Sequence, residues 1–376
     1  MSSSLNLAPQ LAKLADLGPK GRELRKLHPD SIAAMKEAGL FLSLLPKKLG
    51  GLELDPREFF AAQSLIAEQD MSTGWVGGII AVHAYQIALM DEKAQQEVYG
   101  DDPNTLVSSS YNPMGAKAEA VEGGFNFSGR WGWSSGSDHC SWVLLGGIIP
   151  GEGYRTFLIP RSDYEIEDTW HPMGLHGTGS NDIVIDKPVF VPDHRTHKQM
   201  DGFACVNGQD SAYYNVPWAQ IFIRVVCTPA IGAAKHALKL FIENAGGSST
   251  DPTKLMSDPD IQNRVAVVAN MIDEVEAVMD RNFAAQVEAA QAGGQVELLD
   301  RVRARYQAGL VIDKMNEAVN TLFDVAGGRS VFQGAPIQNI WNDIHIARAH
   351  VANNPAGFAR NYGGMLLGGD NGDFFV

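Results

Sequence analysis

The spacing of apolar residues changes its period twice along this 376-residue chain, and each change marks a change of architecture. Up to about Tyr99 the spacing is helical. Ser31 to Leu40 and Arg57 to Gln69 carry apolar residues at three- and four-residue steps, and Asp55-Pro56 is a cap followed by a helix-starting proline. Ser72 to Met90 is apolar and dotted with glycine, the composition of a buried helix packed closely on its neighbours. From Asn104 to about His194 the period drops to two. Phe125, Phe127, Trp131 and Trp133 fall at even spacing among Asn126, Ser128 and Arg130, the pattern of a half-buried strand. The runs WVLLGGII, RTFLIP, DIVID and PVFVP follow with no helical segment between them, which fits antiparallel strands. From about Val216 the helical period returns. Ile261, Val265, Val268, Ile272, Val275, Met279 and Phe283 form one stripe, and Val311, Met315, Val319 and Leu322 form a second. Gly293-Gly294 and Gly327-Gly328 separate helices, and Pro336 opens a further segment toward Gly363. The expected fold is α+β and mostly α: a helical domain over residues 1–103, an antiparallel β barrel over 104–215, and a four-helix bundle over 216–376 with a loose tail.

Composition removes several functions. Acidic residues number 44 against 30 basic ones, a net charge of −14, so a nucleic-acid partner is not expected. No run reaches transmembrane length and the first residues lack the apolar core of a signal peptide, so a cytoplasmic protein with no membrane partner is expected. Cys140, Cys205 and Cys227 are scattered and odd in number, which gives no disulfide framework and no zinc spacing. His194 and His197 read as surface histidines, and His345 and His350, five apart, would sit about 140° apart on a helix. No metal site is expected. Gly174 to Gly179 (GLHGTG) precedes a strand where a dinucleotide loop would precede a helix, so it reads as a turn with positive φ. The serines at 108–110 and 134–135 lack a nucleophile-elbow frame. What remains are polar groups in apolar settings: His83 in IIAVHAYQIAL, Ser135 after Trp131 and Trp133, and His350 in HIARAHVA. They lie in three separate regions, as a cleft between domains requires, and imidazole suits proton transfer near neutrality.

Trp131 to Cys140 (WGWSSGSDHC), Ile159 to Ile166 (IPRSDYEI) and Val189 to Arg195 (VFVPDHR) resemble the middle domain of the acyl-CoA dehydrogenase fold, and within it the two-component flavin-dependent monooxygenases of the p-hydroxyphenylacetate 3-hydroxylase type. Trp75 with His83, Ser108–Ser110 before Asn112-Pro-Met-Gly, and Trp341-Asn-Asp343 leading to His350 extend the resemblance over about Leu24 to Leu367. The resemblance implies a tetramer and a reduced FAD or FMN supplied by a separate flavin reductase, with no metal. The flavin would react with O2 to give a C4a-hydroperoxide that hydroxylates a small aromatic substrate. Trp133, Ser134 and Ser135 would hold the flavin, with Ser135 on N5. Ser109 would line both flavin and substrate, and Gly327 and Gly328 would lie near flavin phosphates or a neighbouring subunit's flavin. Trp75, His83, Trp218, Ala219 and His350 would line the substrate, with His350 as the base that takes its proton and Ser135 and His83 as the other catalytic residues.

Two departures sharpen this. An acyl-CoA dehydrogenase with bound FAD, the rival within the fold, needs a carboxylate for the substrate α-proton, and the position eight residues after Asp343 is Val351. Where the hydroxyphenylacetate enzymes place an arginine for the substrate carboxylate, Val216-Pro-Trp-Ala-Gln places Ala219, with Arg224 about one turn on. A neutral phenol, indole or polycyclic aromatic is the expected substrate, with Arg224 leaving an acidic one open.

Overall fold

The computed structural model describes residues 4–199, 202–246 and 257–376. Five helices open the chain: α1 (Ala8–Leu24), α2 (Pro29–Glu37), α3 (Pro56–Gln69), α4 (Met71–Ala88) and α5 (Glu92–Tyr99). The cap at Asp55 forms as expected, its carboxylate accepting Arg57 N–H at 2.8 Å. Asp70 does the same for α4, accepting Thr73 N–H and Oγ1–H, both at 2.8 Å. Every residue of α4 is buried, as its apolar composition requires. Helix α1 was not anticipated, because its stripe is weak and Pro19 interrupts it.

The strands are β1 (Val107–Ser110), β2 (Ala116–Val121), β3 (Gly124–Ser134), β4 (Trp142–Ile149), β5 (Gly153–Pro160), β6 (Glu165–Glu167), β7 (Asn181–Pro192) and β8 (Thr196–Lys198). They form two four-stranded sheets, ordered β1-β4-β5-β8 and β2-β3-β7-β6. Pairing is antiparallel except that β1 runs parallel to β4. Phe125, Phe127, Trp131, Phe157 and Ile183 fill the space between the sheets. Trp133 departs from the even-spaced pattern. The β3–β7 register shifts between Trp131 and Ser134, Trp133 takes φ +66°, and its side chain turns outward to 51% exposure.

Helices α6 (Trp218–Gly246), α7 (Pro259–Gln291) and α8 (Leu298–Phe323) are long, and α9 (Pro336–Ala347) and α10 (Pro355–Leu366) are short. Among the described residues the bundle is three long helices completed by two short ones. Both stripes face inward, with Val265 alone only partly buried. Trp218–Asn244 is long and apolar enough to cross a membrane, but most of it is buried inside the protein.

Three local expectations are corrected. His197 is a buried residue of β8, its Nε2 3.0 Å from Ala204 O, so it is no surface histidine. His350 is not on the helix of His345. Helix α9 ends at Ala347, and His350 caps a short 3-10 turn over Val351–Asn353. The tail is not loose: Asn361 and Asn371 bond side chain to side chain at 2.8 Å, Asp373 lies 3.9 Å from Arg305, and Phe375 packs on Phe203 and Phe222. The glycine-rich turn behaves as read at Gly179, with φ +50°. Gly174 serves a different need, because a Cβ there would meet the backbone of Asn342 at 2.5 Å, where the turn abuts α9.

Candidate functional site

Helix α4 crosses the junction of the three regions and carries two of the expected site residues. Trp75 and His83 are eight residues apart, about 12 Å along the axis at 1.5 Å per residue. At one end, Trp75 Nε1–H donates to Ser135 Oγ at 3.1 Å, and the Trp75 ring meets the His350 ring edge-on, centroids 5.8 Å apart. One indole thus joins the serine of the β domain to the imidazole of the bundle. Gly136, φ +71°, lets the chain after Ser135 press on α4, where a Cβ would meet Val76 at 2.7 Å and Ile80 at 2.9 Å. Ser135 Oγ also lies 2.8 Å from Ser180 Oγ, which lies 2.7 Å from Thr178 Oγ1. At the other end, His83 Nδ1 is 2.6 Å from Val107 O, and its ring meets Tyr111, which meets Phe222 of α6. Ser109 and Tyr111 lie on one side of the extended chain by alternation, and Ser109 is buried.

The two imidazoles are held as opposite tautomers. A carbonyl only accepts, so His83 Nδ1 carries the hydrogen and Nε2 keeps its lone pair. That Nε2 is buried with no hydrogen-bond partner among the described residues. His350 Nδ1 instead accepts Ala352 N–H at 3.2 Å, so its neutral ring carries hydrogen on Nε2. His83 offers an acceptor and His350 a donor. Burial lowers the His83 pKa to about 4 against the opposing pull of the Val107 carbonyl. His350 falls to about 4 as well, by burial first and then the Arg305 charge. Arg305 is itself buried, donates to Ala352 O at 3.0 Å and lies over the Phe358 ring.

These shifts predict acid sensitivity. Below the ordinary histidine pKa of 6.5 the unfolded chain takes up protons that the folded rings refuse until about pH 4. Their share of the stability is complete above pH 6.5 and is lost as pH falls from 6.5 to 4. Asp343, raised to about 6 chiefly by burial, runs the other way over its own range. Thermal melts between pH 7 and 4.5 should show Tm falling, and falling less for His83→Leu. Parallel curves for the two proteins would refute the His83 contribution.

Other expected residues fall into two groups. Trp218 and Ala219 are buried at the start of α6, and Trp218 stacks toward Tyr85 and Phe222, on the His83 side. Ser134 is buried beside Ser135 with its hydroxyl unpartnered among the described residues, and Trp133 stands exposed against the edge of Trp170. Gly327 and Gly328 are not brought to Ser135 or His350. They lie exposed after α8, with open space around both. Arg224 points away from the junction, its guanidinium over Phe60 and 3.8 Å from Asp280. Sequence reading missed Tyr111, Thr178, Ser180 and Arg305. Arg305 had a signal, since it sits on the apolar stripe Val302, Arg305, Gly309, Ile312 where a charge needs a reason. Tyr111 had one in its alternation with Ser109.

Helices before and after two β sheets, with Ser135 and His350 joined through Trp75 at one end of α4 and His83 at the other, are the arrangement of the acyl-CoA dehydrogenase fold. Residues 224–355 match the family model described as acyl-CoA dehydrogenase, C-terminal domain. The chain is 36% identical to the flavin-dependent monooxygenase oxygenase subunit HsaA of Mycobacterium tuberculosis, over 99% of this chain and 96% of that one. It is 30% identical to the oxygenase component of the FADH2-dependent resorcinol hydroxylase of a Rhizobium species, over 97% and 94%. The crystal structure of the 3-HSA hydroxylase from Rhodococcus sp. RHA1 superposes with a TM-score of 0.94 at 34% identity, covering 98% of this chain and 97% of that one. The chain belongs to the family of oxygenase components of two-component flavin-dependent monooxygenases. It is a flavin-dependent oxidoreductase, and a dehydrogenase role finds no support at Val351, which is 79% exposed.

Proposed function

We propose that the protein hydroxylates a small neutral aromatic compound of phenol or indole type, using O2 and reduced FAD or FMN received from a separate reductase. The observation that carries this reading is the acceptor of a neutral His83, buried with no hydrogen-bond partner among the described residues, beside Val107 of β1 and the ring of Tyr111, which in turn meets Phe222. A phenol O–H or indole N–H is the complement of that acceptor. Reduced flavin, when bound, supplies the activation of O2 and the oxygen atom transferred. The residues fit it: Ser135 Oγ is fixed by Trp75 where N5 would lie, with Trp133 and Ser134 flanking and Ser109 toward the substrate. His350 would hold its Nε2–H toward the reacting oxygen, and the buried walls around Trp75 would keep water out.

Gly327 and Gly328 fit a flavin reached from another subunit better than one within this chain. The exposed Val331, Phe332 and Leu367 favour burial against further copies, in keeping with a tetramer. The free cysteines suit a reducing cytoplasm. The element boundaries suit a division at about 103/104 and 215/216.

The direct test supplies FAD, a flavin reductase and NADH with resorcinol or indole, and weighs the products. Gain of one oxygen is expected. Absence of any oxygenated product, with peroxide release unmoved by either compound, would overturn the reading. Ser135→Ala should raise hydrogen peroxide released per NADH about fivefold, the weight of one hydrogen bond of ~1 kcal/mol. An unchanged ratio would remove Ser135 from N5.

A further inference from the structure

Four buried groups form a chain in which only one placement of the hydrogens satisfies all four contacts. Thr178 Oγ1 lies 2.9 Å from Leu175 O, a carbonyl that cannot donate, so the single Thr178 hydroxyl hydrogen goes there. Thr178 Oγ1 must then accept from Ser180, 2.7 Å away, and this commits the Ser180 hydrogen. Ser180 Oγ in turn must accept from Ser135 at 2.8 Å. Trp75 Nε1, which only donates, supplies Ser135 from the opposite side. Ser135, Ser180 and Thr178 are all buried, so bulk water does not compete for these hydrogens. Ser135 therefore has its hydrogen on Ser180, one lone pair filled by Trp75, and one lone pair left.

We propose that Thr178 and Ser180 are positioning residues that make Ser135 a pure acceptor, so that the site discriminates reduced from oxidised flavin. This rests on the assignment of Ser135 to flavin N5. N5 of a reduced flavin carries a hydrogen, which the remaining Ser135 lone pair accepts. N5 of an oxidised flavin carries only a lone pair, which meets the Ser135 lone pair with no hydrogen between them. The relay thus favours entry of the reduced form and exit of the oxidised one, the direction in which a protein fed by a separate reductase must work. The anchor is set by the fold: Leu175 takes φ +52°, and its N–H is held by Asp343 of α9.

The test is the ratio of dissociation constants for FAD and FADH2, measured anaerobically by titration, which reads binding without turnover. In Thr178→Val the Ser180 hydrogen can turn to Ser135, and the Ser135 hydrogen can turn to oxidised N5. The preference for FADH2 should fall about 3- to 10-fold, the weight of one neutral hydrogen bond. Ser180→Ala should fall likewise, and Thr178→Ser, which keeps the hydroxyl, should retain the wild-type ratio. Ratios within twofold of wild type in both Thr178→Val and Ser180→Ala, while Ser135→Ala lowers it, would overturn the relay alone. An unchanged ratio in Ser135→Ala would overturn the N5 assignment and the relay with it.

Discussion

His83→Leu should lower the turnover of a phenolic substrate by ~10²-fold while leaving flavin affinity within about twofold, the lower end of general acid–base effects. The low end applies because a ring whose pKa is about 4 is a weak base. In the proposed role such a ring would hold the substrate proton as a hydrogen bond in the ground state and draw it off as the aromatic ring is attacked. Leucine fills a similar volume at this fully buried position and removes only the acceptor. The tautomers favour His83 over His350 as the group that would take the proton. With Nδ1 occupied by Ala352 N–H, base action at Nε2 would need a flipped tautomer that sets two N–H groups against each other. A phenol acidic enough to be ionised at the assay pH separates the two roles, because it has no proton to give. His83→Leu should cost it far less than it costs an ordinary phenol, whereas His350→Leu should slow both alike. An equal loss for both phenols in His83→Leu would leave His83 with no part in proton removal.

The architecture was legible because it rests on periodicity, and periodicity survives in one sequence. The stripe from Ile261 to Phe283 faces the bundle core, and the alternation of Phe125, Phe127 and Trp131 faces the space between the sheets. Legibility ended where backbone geometry broke the period. The bulge that turns Trp133 outward leaves no trace in residue spacing, and the 3-10 turn that lifts His350 off α9 has no glycine or proline before or within it, only Pro355 beyond. The site was legible as a set of polar residues in apolar runs, together with a family resemblance. Its chemistry was not, because which nitrogen of His83 or His350 carries hydrogen depends on Val107 O and Ala352 N–H, set by tertiary and turn geometry. The relay was hidden for the same reason. Ser135 and Thr178 are 43 residues apart, and the pairing of β3 with β7, which sets Ser134 opposite Asn181, together with the close approach of the glycine-rich turn to α4, brings them into one chain of hydrogens.

That approach depends on Asp343, and Asp343→Ala should destabilise the protein by about 3–5 kcal/mol, the usual cost of removing one partner from a buried charged contact. Asp343 is almost wholly buried on α9, and its Oδ1 accepts Leu175 N–H at 2.5 Å from the turn between β6 and β7. Arg22 of α1 stands 3.4 Å from the same oxygen and also faces Asp70, the cap of α4, at 3.6 Å. One carboxyl therefore pins the bundle to the β domain and both to the N-terminal helices. Alanine would leave the Leu175 N–H without its partner and Arg22 with one carboxylate fewer. Asparagine keeps an oxygen for Leu175 N–H and carries no charge, so its cost should be smaller and should shrink further with rising pH. The sign follows from the raised pKa of about 6, which lies above that of the unfolded carboxyl. Ionisation above pH 6 therefore penalises the folded aspartate, and the asparagine variant escapes that penalty. Denaturant melts of the wild type, Asp343→Ala and Asp343→Asn at pH 5 and pH 8 would measure this. A loss under 1 kcal/mol in Asp343→Ala would show that the three regions are held together elsewhere, and equal costs for asparagine at the two pH values would show that the charge is not penalised by burial.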